Sequence, residues 1–315
     1  MDVTFLLLSY NQEAYVAEAI RAALAQEGPP ISIFISDDAS TDETFEIIKK
    51  EVSSYSGPHS VEINRNPQNL GIATHISACM KRIKTNYVIA AAGDDISLPQ
   101  RSLRVQQVFS QTNALLIHSL FEGIDQSGRF VVGEFMIKSA FFMQETSARR
   151  AATKLGLYVG ATGAWHKSLF DIYGDIGENC YEDLILGFRA SLENKVAFIN
   201  EPLVKYRLNS GVSAECKKLK YRDDWSTHRR RALAHEKTIL EQRLWDTIRS
   251  SSSDRDVIIN SLQKALRENA LRLNILELET KDFLGKENIP LREKLRIIFN
   301  EGQKKRKYNR KLMSR

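Results

Sequence analysis

Residues 3–11 have the sequence VTFLLLSYN, a short apolar run that ends in polar side chains. Similar runs lie at 32–36, 61–64, 87–91 and 114–118, and amphipathic helical periods separate them at 13–26, 42–53, 72–83 and 99–110. Short strands that alternate with helices are typical of βαβ units. We therefore predict an α/β fold with a Rossmann-like, mostly parallel sheet flanked by helices.

The composition is that of a folded protein with a sizeable core. Of the 315 residues, 43% are hydrophobic and 27% are charged, which excludes a disordered or collagen-like chain. The three cysteines (Cys79, Cys180, Cys216) match no zinc-binding spacing, and their odd number favours a reducing compartment. No secretory leader or membrane-spanning stretch is evident, so we expect a cytoplasmic protein.

Polar clusters follow three of the predicted strands. They are Ser9-Tyr10-Asn11, Asp37-Asp38 and Gly93-Asp94-Asp95. Because the carboxyl ends of parallel strands meet at one edge of a sheet, we expect these clusters to lie together. One such cluster alone would equally be a helix N-cap. Adjacent carboxylates repel unless a cation or donor compensates, and Mg²⁺ or Mn²⁺ prefers one or two carboxylates plus substrate phosphates. The acid pairs therefore favour a divalent-cation site.

Five short motifs occur in an order that is specific when they are taken together. They are Ser9-Tyr10-Asn11, Asp37-Asp38-x-Ser40-x-Asp42-x-Thr44, Asn66-x-x-Asn69-x-Gly71, Gly93-Asp94-Asp95 and Glu182-Asp183. In this order and approximate spacing, residues 1–210 resemble the family-2 glycosyltransferases. The resemblance implies a GT-A fold and the transfer of a sugar from a nucleotide donor.

The resemblance also implies roles for single residues at the donor site. The residues that would line the nucleotide pocket are Ser9, Tyr10, Asn11, Glu13 and Asp38, with Asp38 facing the base. Asn69 and Gly71 would shape the loop beside the nucleotide. Asp94 would lie near the ribose or donor sugar, and Asp95 would bind Mg²⁺ or Mn²⁺. Where the family often has a histidine after a tyrosine-arginine pair, this chain has Asn209 after Tyr206-Arg207.

The acid pair Glu182-Asp183 opens a helical run in the second half of the chain. The resemblance implies that Asp183 is the catalytic base, with Glu182 as the second candidate. By itself the pair would equally be an acidic first helical turn that complements the helix dipole. Trp165 is a candidate acceptor contact, because aromatic faces suit the apolar C–H surface of sugars, and Arg189 on the same helical run is another.

The chain divides into three predicted regions. Residues 1–215 form the catalytic domain, with a nucleotide-sugar-binding half at 1–118 and an acceptor half at 119–215. Residues 216–301 form a helical extension, in which glycine and proline are scarce. Residues 302–315 form a tail with seven basic residues and no acidic one. Because the net positive charge of the chain comes from this tail, we expect no nucleic-acid partner.

The C-terminal region leaves two interpretations open. Residues 289–299 combine an apolar stripe with basic residues and lead into the basic tail. This composition is typical of an interfacial helix that binds an anionic membrane, here the inner face of the cell membrane. A packed final helix with a solvated tail is the alternative. The helices between 217 and 300 are also candidates for a homodimer interface.

The predicted function is that of an inverting, metal-assisted glycosyltransferase. It would move a sugar from a nucleotide-diphosphate donor to a hydroxyl of a glycan or lipid-linked acceptor, in the assembly of a surface polysaccharide such as O-antigen. A nucleotidyltransferase also uses paired aspartates and a metal, but residues 9–13 lack the glycine-rich basic loop that it needs. A non-catalytic sugar-nucleotide-binding or scaffold protein is the other alternative, and the intact acids count against it.

Overall fold

The computed structural model describes residues 2–131, 146–208, 210, 224–277, 283–284 and 289–313. Its strands are β1 (Val3–Ser9), β2 (Ser32–Asp37), β3 (Ser60–Arg65), β4 (Tyr87–Ala92), β5 (Ile96–Ser97), β6 (Leu116–Ile124), β7 (Ala164–His166) and β8 (Val196–Arg207). Its helices are α1 (Val16–Leu24), α2 (Thr44–Ser53), α3 (Ile72–Arg82), α4 (Arg101–Gln111), α5 (Ala148–Ala151), α6 (Ser168–Tyr173), α7 (Glu182–Leu192), α8 (Trp225–Arg249), α9 (Arg255–Glu277) and α10 (Leu291–Met313). A 3₁₀ turn spans Gly160–Thr162.

The strands of the described residues form one sheet in the order β3-β2-β1-β4-β7-β6-β8-β5. Strands β1 to β4 pair in parallel, with Ser9 opposite Asp37 and Leu8 opposite Ala92. The second half adds β6 and β8, which are parallel to each other, whereas the short strands β5 and β7 run antiparallel to their neighbours. The mostly parallel, helix-flanked α/β sheet predicted from the sequence is confirmed.

Helices cover both faces of the sheet, because its central strands are apolar on both sides. On β1, Phe5 and Leu7 belong to the buried cluster that contains α1, α2 and α4, whereas Leu6 and Leu8 belong to the cluster that contains α3 and α7. With both faces closed, the carboxyl ends of the strands are where polar side chains can form a site.

Two of the C-terminal helices, α8 and α9, share the buried cluster that contains α3 and α7. Ile239 and Leu240 of α8 and Ile258 and Leu262 of α9 pack in the same cluster as residues of α3 and α7. The sequence predicts a separate tail from residue 302, but the backbone of α10 stays helical from Leu291 to Met313. The predicted boundary between 215 and 216 lies outside the described residues. Within the described part of the chain, no helix is both long enough and apolar enough to cross a membrane.

Candidate active site

Three neighbouring strands end at the same edge of the sheet and bring their polar residues together. The backbone N–H of Asp38 donates to the Ser9 carbonyl (2.9 Å), and the N–H of Gly93 donates to the Leu8 carbonyl (2.9 Å). These bonds hold the segments after β1, β2 and β4 side by side. The convergence predicted from the order of the strands is confirmed.

The loop after β1 is tied to the loop after β2 by two of the predicted donor-site residues, Asn11 and Glu13. The N–H of Asn11 donates to Ser40 Oγ (2.8 Å), and Asn11 Oδ1 accepts from the Thr41 N–H (2.8 Å). Asn11 has a φ of +49°, a left-handed conformation that asparagine tolerates better than most residues. Glu13 Oε2 accepts from the N–H of Glu43 at the start of α2 (3.0 Å). Tyr10 stands free of this network with 39% of its surface exposed.

Asp38 holds the loop that follows β3. Its Oδ1 accepts from the N–H of Leu70 (3.0 Å) and from Asn66 Nδ2 (2.8 Å), and its Oδ2 accepts from the N–H of Gly71 (2.9 Å). Asn69 Oδ1 also accepts from the Gly71 N–H (2.8 Å), and Gly71 has a φ of +73°, which favours glycine. The buried Asp38 carboxylate therefore fixes the loop after β3, and Asn69 and Gly71 lie exposed on that loop.

Asp94 and Asp95 follow β4 as a buried acid pair. Asp94 accepts from Gln12 Nε2 (2.9 Å) at one oxygen and from Ser210 Oγ (2.8 Å) at the other. Oδ1 of Asp95 accepts from the backbone N–H of Arg207 (2.7 Å). Burial raises the pKa of Asp94. Burial, and then the neighbouring Asp94 charge, raise the pKa of Asp95 well above its usual range.

This acid pair fits a divalent cation of the Mg²⁺ or Mn²⁺ type. Two carboxylates held in a buried place favour a bound positive charge, because it offsets their repulsion and desolvation. Among the described residues, no group of three or more His, Cys, Asp and Glu side chains could hold a metal. A donor set of one or two carboxylates is the one such cations use when substrate phosphates complete their shell.

Glu182 and Asp183 form the first turn of α7 and are half-buried. Glu182 lies directly against the 3₁₀ turn, since a Cβ at Gly160 would overlap its carboxylate oxygen. Burial raises the pKa of Glu182. Burial and the charge of Glu182 raise the pKa of Asp183 to about 8. A carboxylate with a raised pKa is a stronger proton acceptor once it is ionised.

Arg101 joins the two acid clusters through the backbone. It is buried, and its Nη2 donates to the carbonyls of Ala90 on β4 (2.6 Å) and Ala161 in the 3₁₀ turn (2.8 Å). Ala90 lies four residues before Asp94, and the 3₁₀ turn lies against Glu182. The two acid pairs therefore belong to one connected framework.

Two predicted acceptor contacts are wrong. Trp165 lies on β7 between β4 and β6, is fully enclosed and donates to Met80 Sδ (3.4 Å), so it offers no face to a sugar. Arg189 is also fully buried, where its guanidinium pairs with Asp246 of α8 (2.9 Å). Both side chains stabilise the core, and neither reaches a surface where an acceptor could bind.

Sequence reasoning missed the side chains that support the acids. They are Gln12, Arg101, Ser210 and Arg243. Sequence reasoning also gave Arg207 no role other than as part of a strand. Arginine is mostly exposed, so its presence in a sequence does not indicate a buried support. The glycine at position 93 is the sequence feature that relates to one of these supports, because a Cβ there would overlap Gln12 Oε1 in the structure. Asn209 lies outside the described residues.

Comparison with known proteins places this geometry in context. Residues 4–172 match the model of glycosyl transferase family 2, which is more than half of the chain. The EpsE protein of Bacillus subtilis (strain 168) is 29% identical over 138 residues, which are 44% of this chain and 46% of EpsE. The succinoglycan biosynthesis protein ExoO of Rhizobium meliloti (strain 1021) is 25% identical over 131 residues, which are 41% of this chain and 35% of ExoO. The matched part therefore spans less than half the length of these relatives.

Two solved structures share the fold. TarS 1–349 of S. aureus, in complex with UDP-GlcNAc, superposes with a TM-score of 0.61 at 17% identity over 93% of this chain and 83% of TarS 1–349. The mannosyltransferase PcManGT of Pyrobaculum calidifontis, in complex with GDP-Man and Mn²⁺, superposes with a TM-score of 0.55 at 14% identity over 99% of this chain and 83% of that chain. At these identities the likeness concerns the fold.

Proposed function

Because the chain belongs to glycosyl transferase family 2, we propose that it is an inverting glycosyltransferase that moves a sugar from a nucleotide-diphosphate donor to an acceptor hydroxyl. The observation that carries the proposal is the connection of two acid pairs. Arg101 links β4, which leads to Asp94 and Asp95, to the 3₁₀ turn that Glu182 contacts. One pair suits a cation on the departing diphosphate, and the other suits proton removal from an acceptor.

The donor nucleotide binds at the carboxyl ends of β1 and β2, where their polar residues meet. Tyr10, which is 39% exposed, offers its ring to the base, and the loop that Asp38 holds lies beside the nucleotide. A base that replaces a loop N–H at Asp38 would hydrogen-bond that carboxylate directly. The solved structures with UDP-GlcNAc and GDP-Man support a nucleotide sugar as the donor.

Asp94 and Asp95 serve the diphosphate end of the donor. Asp95 would hold Mg²⁺ or Mn²⁺, which when bound supplies a Lewis acid for the leaving diphosphate. Gln12 and Ser210 fix the Asp94 carboxylate from two sides, so it is oriented before the donor arrives. The Mn²⁺ in the PcManGT complex supports a cation of this type.

Asp183 serves as the general base. It accepts the proton of the acceptor hydroxyl while that oxygen forms a bond to the anomeric carbon, and the bond from this carbon to the diphosphate breaks with its electron pair on the diphosphate. One displacement inverts the anomeric configuration. The acceptor is a glycan or a lipid-linked saccharide, and the succinoglycan biosynthesis relative supports polysaccharide assembly as the setting.

A transfer assay with a panel of nucleotide sugars and Mn²⁺ tests the proposal. The wild type is expected to release nucleoside diphosphate in the presence of a saccharide acceptor. Asp183→Asn is expected to keep donor-dependent thermal stabilisation while it loses about 10²–10⁴-fold in turnover. Asp171→Asn changes an exposed acid on α6 and serves as the control. Turnover by Asp183→Asn at the wild-type rate, or no transfer from any donor, would contradict the proposal.

The reaction takes place at an anionic membrane surface, which α10 contacts. One face of α10 packs on the protein through Ile297, Tyr308 and other buried residues. The opposite face presents Leu291, Leu295 and Phe299, which are 61%, 52% and 65% exposed and lie four residues apart. Such a stripe of apolar side chains on an outer helix face is typical of an interfacial helix.

Positive charge surrounds and extends this stripe. Exposed basic residues on α10 are Arg292, Arg296, Lys304, Lys305, Arg306, Lys307 and Arg310, whereas Glu301 is buried against Arg229. Each basic residue near an anionic leaflet contributes about 1 kcal/mol. The pattern therefore suits a membrane rich in anionic lipids.

Sedimentation with vesicles of phosphatidylserine and phosphatidylcholine tests the membrane surface. The wild type is expected to bind these vesicles, to bind pure phosphatidylcholine weakly and to dissociate as salt rises. Leu295→Glu with Phe299→Glu is expected to abolish binding. Trp245→Glu changes an equally exposed apolar residue on α8 and is expected to bind as the wild type does. Equal binding by both variants would contradict the assignment.

The homodimer stays a prediction, and sedimentation velocity of the full chain would test it.

A further inference from the structure

Helix α8 sends one buried arginine to the start of α7, where Asp183 lies. Arg243 has no exposed surface, and it donates to the Leu184 carbonyl from Nε (3.2 Å) and from Nη2 (2.8 Å). Its Nη1 donates to the carbonyls of Ala151 (3.1 Å), Ala152 (3.0 Å) and Lys154 (2.8 Å). Because Leu184 directly follows Asp183, Arg243 fastens the turn that carries the candidate base.

These five hydrogen bonds from Arg243 all go to neutral carbonyl oxygens, which leave its positive charge uncompensated. Its charge lowers the pKa of Asp183, against the larger effects of burial and of the Glu182 charge. Burial lowers the pKa of Arg243 itself to about 10, so it stays charged where Asp183 titrates.

Other titratable groups face the same region. Glu182 lies on the same helix, and Tyr158 lies on the segment before the 3₁₀ turn. Cys180 and Asp246 also act on Arg243 through their charges, and Asp246 is paired with Arg189. Among the described residues, Arg243 is the cation whose charge acts on Asp183. Its own hydrogen bonds go to carbonyl oxygens and not to an acid.

We propose that Arg243 is a positioning residue for Asp183: its buried guanidinium, hydrogen-bonded to the Leu184 carbonyl, fixes the first turn of α7 and brings a positive charge to the turn that carries the Asp183 carboxylate. This inference rests on the proposed role of Asp183. Helix α8 lies outside residues 4–172, the part that matches the family model. The C-terminal helices therefore take part in the chemistry of the site.

Three variants of the full-length protein separate charge from packing. Arg243→Met removes the charge and the hydrogen bonds, whereas Arg243→Lys keeps a charge and loses the forked geometry. Arg229→Met is the control, because Arg229 is a buried arginine on the same helix whose partner Glu301 also contacts Lys304. The readouts are kcat/KM between pH 6 and 9 and the thermal unfolding temperature.

The expected results differ in their pH dependence. Arg243→Met should move the acid limb of kcat/KM upward by about one pH unit, as loss of a nearby opposite charge does, which is about a tenfold loss at pH 7 that shrinks by pH 9. Arg243→Lys should lower the rate equally at all pH values and leave the limb in place. Arg229→Met should lower stability and leave the limb in place.

Several outcomes would overturn the inference. One is an unshifted limb in Arg243→Met, and another is an equal shift in Arg229→Met. If Arg243→Met does not fold, Arg243→Gln replaces it, because its amide can still donate to the Leu184 carbonyl. Failure of both neutral variants to fold, while Arg243→Lys folds, would make the arginine a folding requirement and overturn its role at the base.

A second measurement is independent of turnover. The difference in unfolding temperature between the wild type and Asp183→Asn, followed from pH 5 to pH 9, reports the titration of Asp183. With Arg243→Met in both proteins, this titration should move to higher pH. If the wild type transfers no sugar while the titration moves, the proposed function fails and the action of Arg243 on Asp183 stands. A titration that does not move overturns that action.

Discussion

The backbone N–H of Arg207 donates a 2.7 Å hydrogen bond to Oδ1 of Asp95, so the end of β8 is attached directly to the acid pair after β4. The Arg207 side chain extends the connection, since it donates to the Asp94 carbonyl (3.0 Å) and to Glu18 of α1 (2.7 Å). The cation-binding candidate is therefore built from both halves of the sheet, and neither half holds Asp95 alone.

Asp95→Asn is expected to stabilise the protein without cation at alkaline pH. The raised pKa of Asp95 means that its contribution to stability is present at low pH and is lost as the pH rises through that pKa. Removing the ionisation should raise the unfolding temperature at pH 8 by roughly 2–4 °C, the shift that about 1 kcal/mol produces in a large domain, with little change at pH 4.

The same variant should lose the Mn²⁺-dependent stabilisation by nucleoside diphosphate. Thermal scans with and without Mn²⁺ and UDP or GDP measure both effects. Asp256→Asn, at an exposed position on α9, is the control and should change neither. Full Mn²⁺-dependent stabilisation in Asp95→Asn would argue against its place at the cation.

Glu182→Gln is expected to move the acid limb of kcat/KM to lower pH. The charge of Glu182 raises the pKa of Asp183, so its removal lets Asp183 ionise earlier. The two carboxyls lie side by side, and the limb of the wild type therefore belongs to the pair. A pH–rate profile of both proteins measures the shift. A limb that does not move to lower pH would contradict the coupling of the two acids, and a loss of about 10²-fold or more in turnover at every pH would make Glu182 the base.

Trp165→Ala is expected to lower the free energy of unfolding by about 3–5 kcal/mol, because it empties a fully buried position. Urea unfolding measures the loss. Trp245→Ala, where the side chain is 56% exposed, should change it by about 0.5 kcal/mol or less. Unchanged stability with a raised KM for the acceptor would restore Trp165 to the acceptor site.

Arg189→Met is expected to cost about 3–5 kcal/mol, because it leaves Asp246 buried without its cation. Arg189→Met combined with Asp246→Leu should recover part of that loss. Lys81→Met breaks an exposed ion pair with Asp175 and should cost about 0–1 kcal/mol. Equal losses in the single and double variants would show that the ion pair is not the source of the cost.

The first half of the sheet could be predicted because its signals are local. Each of β1, β2 and β4 is an apolar run followed by polar residues, and parallel pairing then brings those residues together. The pairing of β5 with β8 could not be predicted. Ile96 pairs with Lys205, which is far away along the chain, and no local pattern links the two segments.

The acceptor contacts were predicted wrongly for a related reason. Trp165 follows Gly160 and Gly163, a composition typical of an exposed loop, but β7 inserts between β4 and β6 and encloses the indole. Arg189 lies six positions after Asp183 on α7 and faces α8, where it pairs with the buried Asp246. Both outcomes depend on what packs against a segment, which the segment itself does not reveal.

Helix α8 has a consequence for any attempt to exchange C-terminal helices between relatives. Its Arg229 pairs with Glu301 of α10, and its Arg243 donates to the carbonyl of Leu184, the residue after Asp183. With the proposed membrane contact of α10 and the proposed action of Arg243 on Asp183, a chimera that exchanges α8 to α10 would change both the surface that is bound and the pH dependence. Surface binding and proton affinity would then be exchanged together.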